Sequence, residues 1–194
     1  GTVRLYNLQM QEMWSENIPG GGAGAPTIAD LDGDGLPEVA VAGASRYVAF
    51  DTDGQIIWMQ QTQDTSSRRT GSSVFDFNGD GRAEVIYGDE YTFYMFDGAS
   101  GDILYSIPNS TGTTLEYPIV ADVDNDNHAD IVLVANQLLY RLGRAEGESY
   151  TGIRVFEGAN NEWVDTRSIW NQHAYNINNI NDDGTVPTNP ESPS

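Results

Sequence analysis

One pattern recurs along this 194-residue chain and limits what it can fold into. Asp30-Leu-Asp-Gly-Asp-Gly-Leu-Pro-Glu38, Asp76-Phe-Asn-Gly-Asp-Gly-Arg-Ala-Glu84 and Asp122-Val-Asp-Asn-Asp-Asn-His-Ala-Asp130 align position by position, each starting 46 residues after the one before. A fixed period of that length marks an array of small supersecondary units, propeller blades among them. A fainter copy, Asn179-Ile-Asn-Asp-Asp-Gly184, begins 57 residues after the third, and an insertion around 143–151 absorbs the difference.

The flanks repeat too. An apolar run precedes each loop (Pro26–Ala29, Ser73–Phe75, Pro118–Ala121) and a second follows it (Val39–Ala42, Val85–Tyr87, Ile131–Val134). A third run (Tyr47–Phe50, Thr92–Phe96, Leu138–Leu142) and a fourth (Ile56–Trp58, Ile103–Tyr105, Ile153–Phe156) complete the unit. Asp53-Gly54 and Asp97-Gly98 supply turn chemistry between the third and fourth runs of the first two units. Four β-rich runs per period predict an all-β chain of four-stranded antiparallel sheets, the blades of a β-propeller. The best helical candidate is the short piece Arg167–Tyr175.

Trp14, Trp58, Tyr105 and Trp163 precede their loops by 16, 18, 17 and 16 residues, which sets the register at the ends. Residues 2–16 then read as the third and fourth strands of a half-blade, followed by blades at about 25–60, 71–108 and 116–166. Residues 167–184 read as a closing segment, whose part from Ala174 supplies a first strand and loop, and 185–194 as a polar tail. Half-blades leave strand edges whose N–H and C=O groups need partners. Pairing within the chain would close a ring of three whole blades and one composite blade. Pairing with a neighbouring copy would repeat head to tail. Both closures satisfy the sequence.

Oxygen side chains at loop positions 1, 3 and 5 suit a hard cation, with glycine at position 6 for the bend, a carbonyl at 7 and a carboxylate at 9. The first loop offers Asp30, Asp32, Asp34, the Leu36 carbonyl and Glu38. The second offers Asp76, Asn78, Asp80, the Arg82 carbonyl and Glu84. The third offers Asp122, Asp124, Asp126, the His128 carbonyl and Asp130, with Asn127 at the bend because Asn tolerates the left-handed conformation. His128 lends its carbonyl, so its ring is expected to face solvent. All-oxygen ligation favours Ca²⁺ over Mg²⁺ or zinc. Three ions are expected. Asn179, Asn181 and Asp183 are a weaker fourth site or a hydrogen-bonded Asx turn.

Charge narrows the partners. Nine arginines, no lysine and 29 acids give a net charge of −20. That sign excludes binding to a nucleic-acid backbone or an anionic membrane surface, and makes cations the first partners to seek. Without cysteine the chain has no disulfide, thiolate metal site or thiol nucleophile. No stretch is long and apolar enough for a membrane-spanning helix.

Ala25–Gly43 (Ala-Pro-Thr-Ile-Ala-Asp-Leu-Asp-Gly-Asp-Gly-Leu-Pro-Glu-Val-Ala-Val-Ala-Gly) resembles the FG-GAP/VCBS repeat of integrin α-subunit-like propellers, as do Gly71–Gly88 and Tyr117–Ala135. The resemblance spans roughly residues 2–166. It implies a blade with calcium between its first two strands, and protein or glycan recognition by top-face loops. Trp163–Gly184 resembles the tail that closes some secreted bacterial proteins with these repeats. Such propellers usually have seven blades, whereas this chain has material for about four, so a four-bladed ring, a fragment and a multichain assembly all stay open.

Function classes follow. No nucleophile elbow, phosphate-cradling loop or open metal triad occurs, and His173 reads as a structural residue, so no enzymatic activity is expected. The reading adopted is a secreted, calcium-loaded protein for adhesion or for a structural, even filamentous, extracellular assembly. A carbohydrate-binding propeller is the alternative, and a propeller piece of a polysaccharide-active enzyme a more distant one. Once-per-blade Trp14, Trp58, Tyr105 and Trp163 read as inter-blade packing rather than a sugar platform.

Overall fold

A computed structural model describes residues 1–170, 173 and 175–189. A hairpin, then two four-stranded sheets and a three-stranded one, follow one another along the chain. β1 (Thr2–Tyr6) and β2 (Glu12–Asn17) form a hairpin. β3 (Thr27–Ala29), β4 (Glu38–Ala42), β5 (Arg46–Phe50) and β6 (Ile56–Gln61) form the first sheet, antiparallel and in chain order. β7 (Ser73–Phe75), β8 (Glu84–Gly88), β9 (Thr92–Phe96) and β10 (Ile103–Pro108) repeat it as the second sheet. The molecule is all-β and antiparallel.

The third unit departs from the pattern. β11 (Ile119–Ala121) and β12 (Asp130–Ala135) form as expected, but the run at Leu138–Leu142 is not a strand: Leu138–Arg141 is a single helical turn, α1. β13 (Gly152–Glu157) pairs directly with β12, so this sheet has three strands. The local reason is legible. Leu-Leu-Tyr-Arg has no β-branched residue, its last turn carries Arg141, and Gly143 follows at φ 66°, a helix-ending conformation. Leu139 still stands 46 residues after Phe93 and is buried like it, so the core position survives the change of backbone.

Sheet faces stack along the series. Val3 and Trp14 of the hairpin pack on Ile18, Val41, Val48 and Phe50. Ala40, Ala42, Tyr47 and Trp58 meet Val85, Tyr87 and Phe96 of the second sheet. Ile86, Phe93 and Met95 meet Val120, Ile131, Leu133 and Phe156 of the third. Two tryptophans lock consecutive units. The Trp14 indole N–H donates to the Thr52 carbonyl (2.9 Å) and the Trp58 indole N–H to the Gly98 carbonyl (2.6 Å). Each ring lies on a glycine of the next turn: a Cβ on Gly54 or Gly101 would come within 2.9 Å or 2.5 Å of it. Gly101, not Gly98, takes the left-handed conformation in the second turn. Tyr105 is half-exposed, because the third unit lacks that turn.

The C-terminal segment bears on two further expectations. Among the described residues it contributes no strand to the hairpin, and no closed ring is seen among them. Arg167–Trp170 is not helical; Asn171, Gln172 and Ala174 lie outside the described residues. Trp163 packs backwards, on Phe77 and against Gly158. No helix among the described residues is long and apolar enough to cross a membrane.

Candidate metal centre

The three acidic loops join the first strand of each sheet to the second and share one hydrogen-bond skeleton. The position-1 aspartate accepts the backbone N–H groups of positions 4 and 6. Asp30 takes those of Gly33 and Gly35, Asp76 those of Gly79 and Gly81, and Asp122 those of Asn125 and Asn127. Positions 4 and 6 are left-handed in every copy, including Asn125 (φ 67°) and Asn127 (φ 75°) in the third. Glycine or asparagine is needed there because a bulkier side chain would clash with its own backbone. Position 3 accepts the N–H of position 5, and position 5 that of position 7.

Position 9 closes each loop from the next strand. The Leu31 N–H donates to Glu38 Oε2 (2.7 Å), the Phe77 N–H to Glu84 Oε2 (2.8 Å), and the Val123 N–H to Asp130 Oδ2 (2.8 Å). These three acids are buried at the starts of β4, β8 and β12. Burial raises all three pKa values above the ordinary carboxylate range, helped by the neighbouring loop aspartates and opposed by the N–H bond.

The loops differ in how the acids meet. In the first, oxygens of Asp30, Asp32 and Glu38 lie within 4.8 Å of one another. Glu38 Oε1 is buried there without a hydrogen-bond partner, an arrangement that fits a cation, since such an oxygen otherwise loses its hydration uncompensated. In the third, Asp122, Asp124 and Asp130 converge likewise, and Asp124 and Asp126 form a further group with Glu157. In the second loop the corresponding oxygen, Glu84 Oε1, accepts from Asn78 Nδ2 (3.1 Å), and Arg82 pairs with Asp80 (2.7 Å), lowering the pKa of that aspartate. Asp76, Asp80 and Glu84 do not converge as a trio. Asp34 stays outside the first group, its Oδ1 taking the Leu36 N–H. The converged carboxylates of the first and third loops could hold a metal ion.

Other candidates resolve differently. The His128 ring does not face solvent. It is half-buried, with Nδ1 2.8 Å from the Trp163 carbonyl oxygen, because the chain after β13 folds back across the third loop. Asp183 accepts both the N–H and the hydroxyl of Thr185, and the Asn181 side chain also bonds Thr185, which is a hydrogen-bonded turn. Asn179 sits in a 3-10 turn, Ile177–Asn179. Sequence reasoning missed Glu157, which pairs opposite Asp130 only because β13 adjoins β12. It also missed Asp64, a fully buried carboxylate that accepts the backbone N–H groups of Ser67, Arg68, Arg69 and Thr70 and so ties the Arg68–Arg69 turn inward.

The repeat model described as FG-GAP-like matches residues 30–87 and 76–133, more than half of the chain. This chain belongs to the FG-GAP-like repeat family. Among solved structures it is similar to the V. cholerae biofilm matrix protein Bap1, at 34% identity and a TM-score of 0.71 over 80% of this chain. That alignment takes in 25% of Bap1, so the chain spans about a quarter of that protein's length. No curated protein matches the chain.

Proposed function

We propose that this FG-GAP-like chain is a non-enzymatic, calcium-binding module of the extracellular space, serving adhesion or the structure of a surface or matrix assembly. Its sheets are read as propeller blades, with Ca²⁺ as the resident ion of the acidic loops. The observation that carries the metal half is Glu38 Oε1, buried and unpartnered beside Asp30 and Asp32. Four carboxylates at positions 1, 3, 5 and 9 offer oxygen alone, the donor set that calcium prefers. Asp30, Asp32, Asp34, the Leu36 carbonyl and Glu38 are proposed as ligands in the first loop, and Asp122, Asp124, Asp126, the His128 carbonyl and Asp130 in the third. Asp76, Asn78, Asp80, the Arg82 carbonyl and Glu84 make a weaker second site that must first displace the Arg82–Asp80 pair. The ion staples a strand–loop–strand joint rather than opening a helix pair, so its effect is on stability.

The structural half draws on the likeness to a biofilm matrix protein. Millimolar calcium outside cells and a net charge of −20 fit the same reading. Calorimetric titration of chelator-stripped protein with Ca²⁺ and Mg²⁺ tests it. Saturable calcium binding with a rise in melting temperature is expected. A stripped protein that ignores calcium would end the proposal.

A further inference from the structure

The 46-residue period also numbers the residues that each sheet turns toward its successor. Position 2 of the loops is Leu31, Phe77 and Val123. The first two are 1% and 2% exposed beneath the following sheet, the third 47%. On the second strands Ala40 and Ile86 are buried in the same way, whereas Val132 is only half-buried and Val134, two residues on, is 44% exposed. By the alternation of side chains along a strand, Ile153, Val155 and Glu157 of β13 share this outward face, since Arg154 and Phe156 turn to the second sheet. Ile153 is 74% exposed and Val155 50%. The third sheet thus presents, uncovered, the surface that its two predecessors bury.

The C-terminal segment covers part of it. Trp170 and His173 stand over Ile119 and Val134 across a cavity of about 450 Å³. That leaves β13, in the third-strand place of its sheet, bare among the described residues. The element that belongs over a third strand in this series is another third strand followed by a fourth, and β1–β2 is such a pair. Its inner face is committed to the first sheet through Val3 and Trp14. Its outer side carries Tyr6, 43% exposed; Met13, at the bulge between Glu12 and Trp14, is 61% exposed, and Leu8 and Met10 are exposed at the tip. The same face carries Arg4, whose charge is already answered by Glu12 at 2.7 Å on the neighbouring strand. Apolar surface meets apolar surface.

Resting on the assembly reading above, we propose that the outer face of the third sheet, Val123, Val134, Ile153 and Val155, docks the outer face of the β1–β2 hairpin of a second copy. The contact joins two different surfaces, so it repeats head to tail and builds a chain of copies rather than a closed pair. Copy-to-copy packing then continues the sheet-to-sheet packing within a copy.

Sedimentation velocity in calcium, from low to high micromolar protein, tests this with Ile153→Glu and Met13→Glu. Both residues are exposed, and circular dichroism verifies that each variant folds. Wild type should grow into species larger than a dimer as concentration rises. Each variant alone should stay monomeric, and an equimolar mixture should give dimers and nothing larger, because each partner keeps one working surface. Wild type that stays monomeric at every concentration overturns the proposal and assigns the face to a sheet of another polypeptide or to the molecule's own hairpin. Variants that associate as wild type does, or a mixture that stays monomeric, overturn it too. Calorimetry on the same samples separates the two claims: calcium binding by a persistent monomer sinks the docking and spares the calcium reading, and association without calcium binding does the reverse.

Discussion

Replacing Glu38 by glutamine should change sign with calcium. Glutamine keeps the shape of the side chain and an oxygen to accept the Leu31 N–H, and it removes only the charge. Without metal, that charge is a burden: Glu38 is buried and its oxygens lie no more than 4.8 Å from those of Asp30 and Asp32. Two like charges at that distance repel by about 0.9 kcal/mol in water and about 3.5 kcal/mol at an effective dielectric of 20. Asp30 and Asp32 are open to solvent on one side, so the lower part of that range applies and the two pairs sum to about 2 kcal/mol. In chelator the variant should be the more stable protein by that amount.

Calcium reverses the order. A site held at a thousand times its dissociation constant stabilises the folded state by about 4 kcal/mol, and the variant forfeits most of this. Subtracting the 2 kcal/mol relief leaves it about 2 kcal/mol below wild type. With a urea slope of about 2 kcal/mol per molar, the midpoint should move up by about 1 M in chelator and down by about 1 M in calcium. Paired urea melts of both proteins in both buffers read this directly. Shifts of the same sign in the two buffers would refute the argument, because they would mean that Glu38 serves the fold without an ion.

Phe77→Ala should cost about 3–5 kcal/mol by opening a cavity between the second and third sheets, while Val123→Ala at the same repeat position should stay within about 0.5 kcal/mol; thermal melts compare the two. Asp89 is buried and its pKa is pushed up to about 6, mainly by burial, against the N–H bonds from Gln63, Tyr91 and Thr92. A raised carboxylate pKa means that the folded state binds the extra proton, so this group's contribution grows as pH falls through 6 and is lost as pH rises. Between pH 7 and 5 it should add about 1.3 kcal/mol of stability in wild type and nothing in Asp89→Asn, and equal pH slopes for the two would count against it.

The loops and most strands were legible because their chemistry is local. Asp, Asn and Gly at fixed offsets prescribe the left-handed bends, down to Asn127, and alternating apolar runs prescribe strands on either side. The third unit was misread where period overrode propensity: Leu138–Leu142 falls on the 46-residue grid, yet its residues prefer a helix and Gly143 ends it. That single change moved β13 beside β12, which no spacing rule contains, and placed Glu157 near Asp124 and Asp126. The buried Asp64 was hidden for a related reason. Its partners are backbone N–H groups of a loop, and a sequence marks none of them.

Charge and packing meet at one residue in each of the first two units. The Leu31 N–H holds the position-9 acid of its loop, and the Leu31 side chain lies buried under the following sheet. Phe77 does both in the second unit, where its carbonyl also accepts the Val164 N–H of the third. An ion that draws Glu38 toward Asp30 and Asp32 therefore fixes the backbone from which the plug between sheets projects. Repulsion in an empty loop acts on that plug as directly as on the carboxylates. Val123 has the same N–H bond to Asp130 but no sheet over its side chain, so in the third unit the loop and the packing are uncoupled until a neighbour arrives. Metal binding and the joining of successive sheets are, on this geometry, two readings of one constraint, and a second copy at the exposed face would extend that constraint past the end of a single chain.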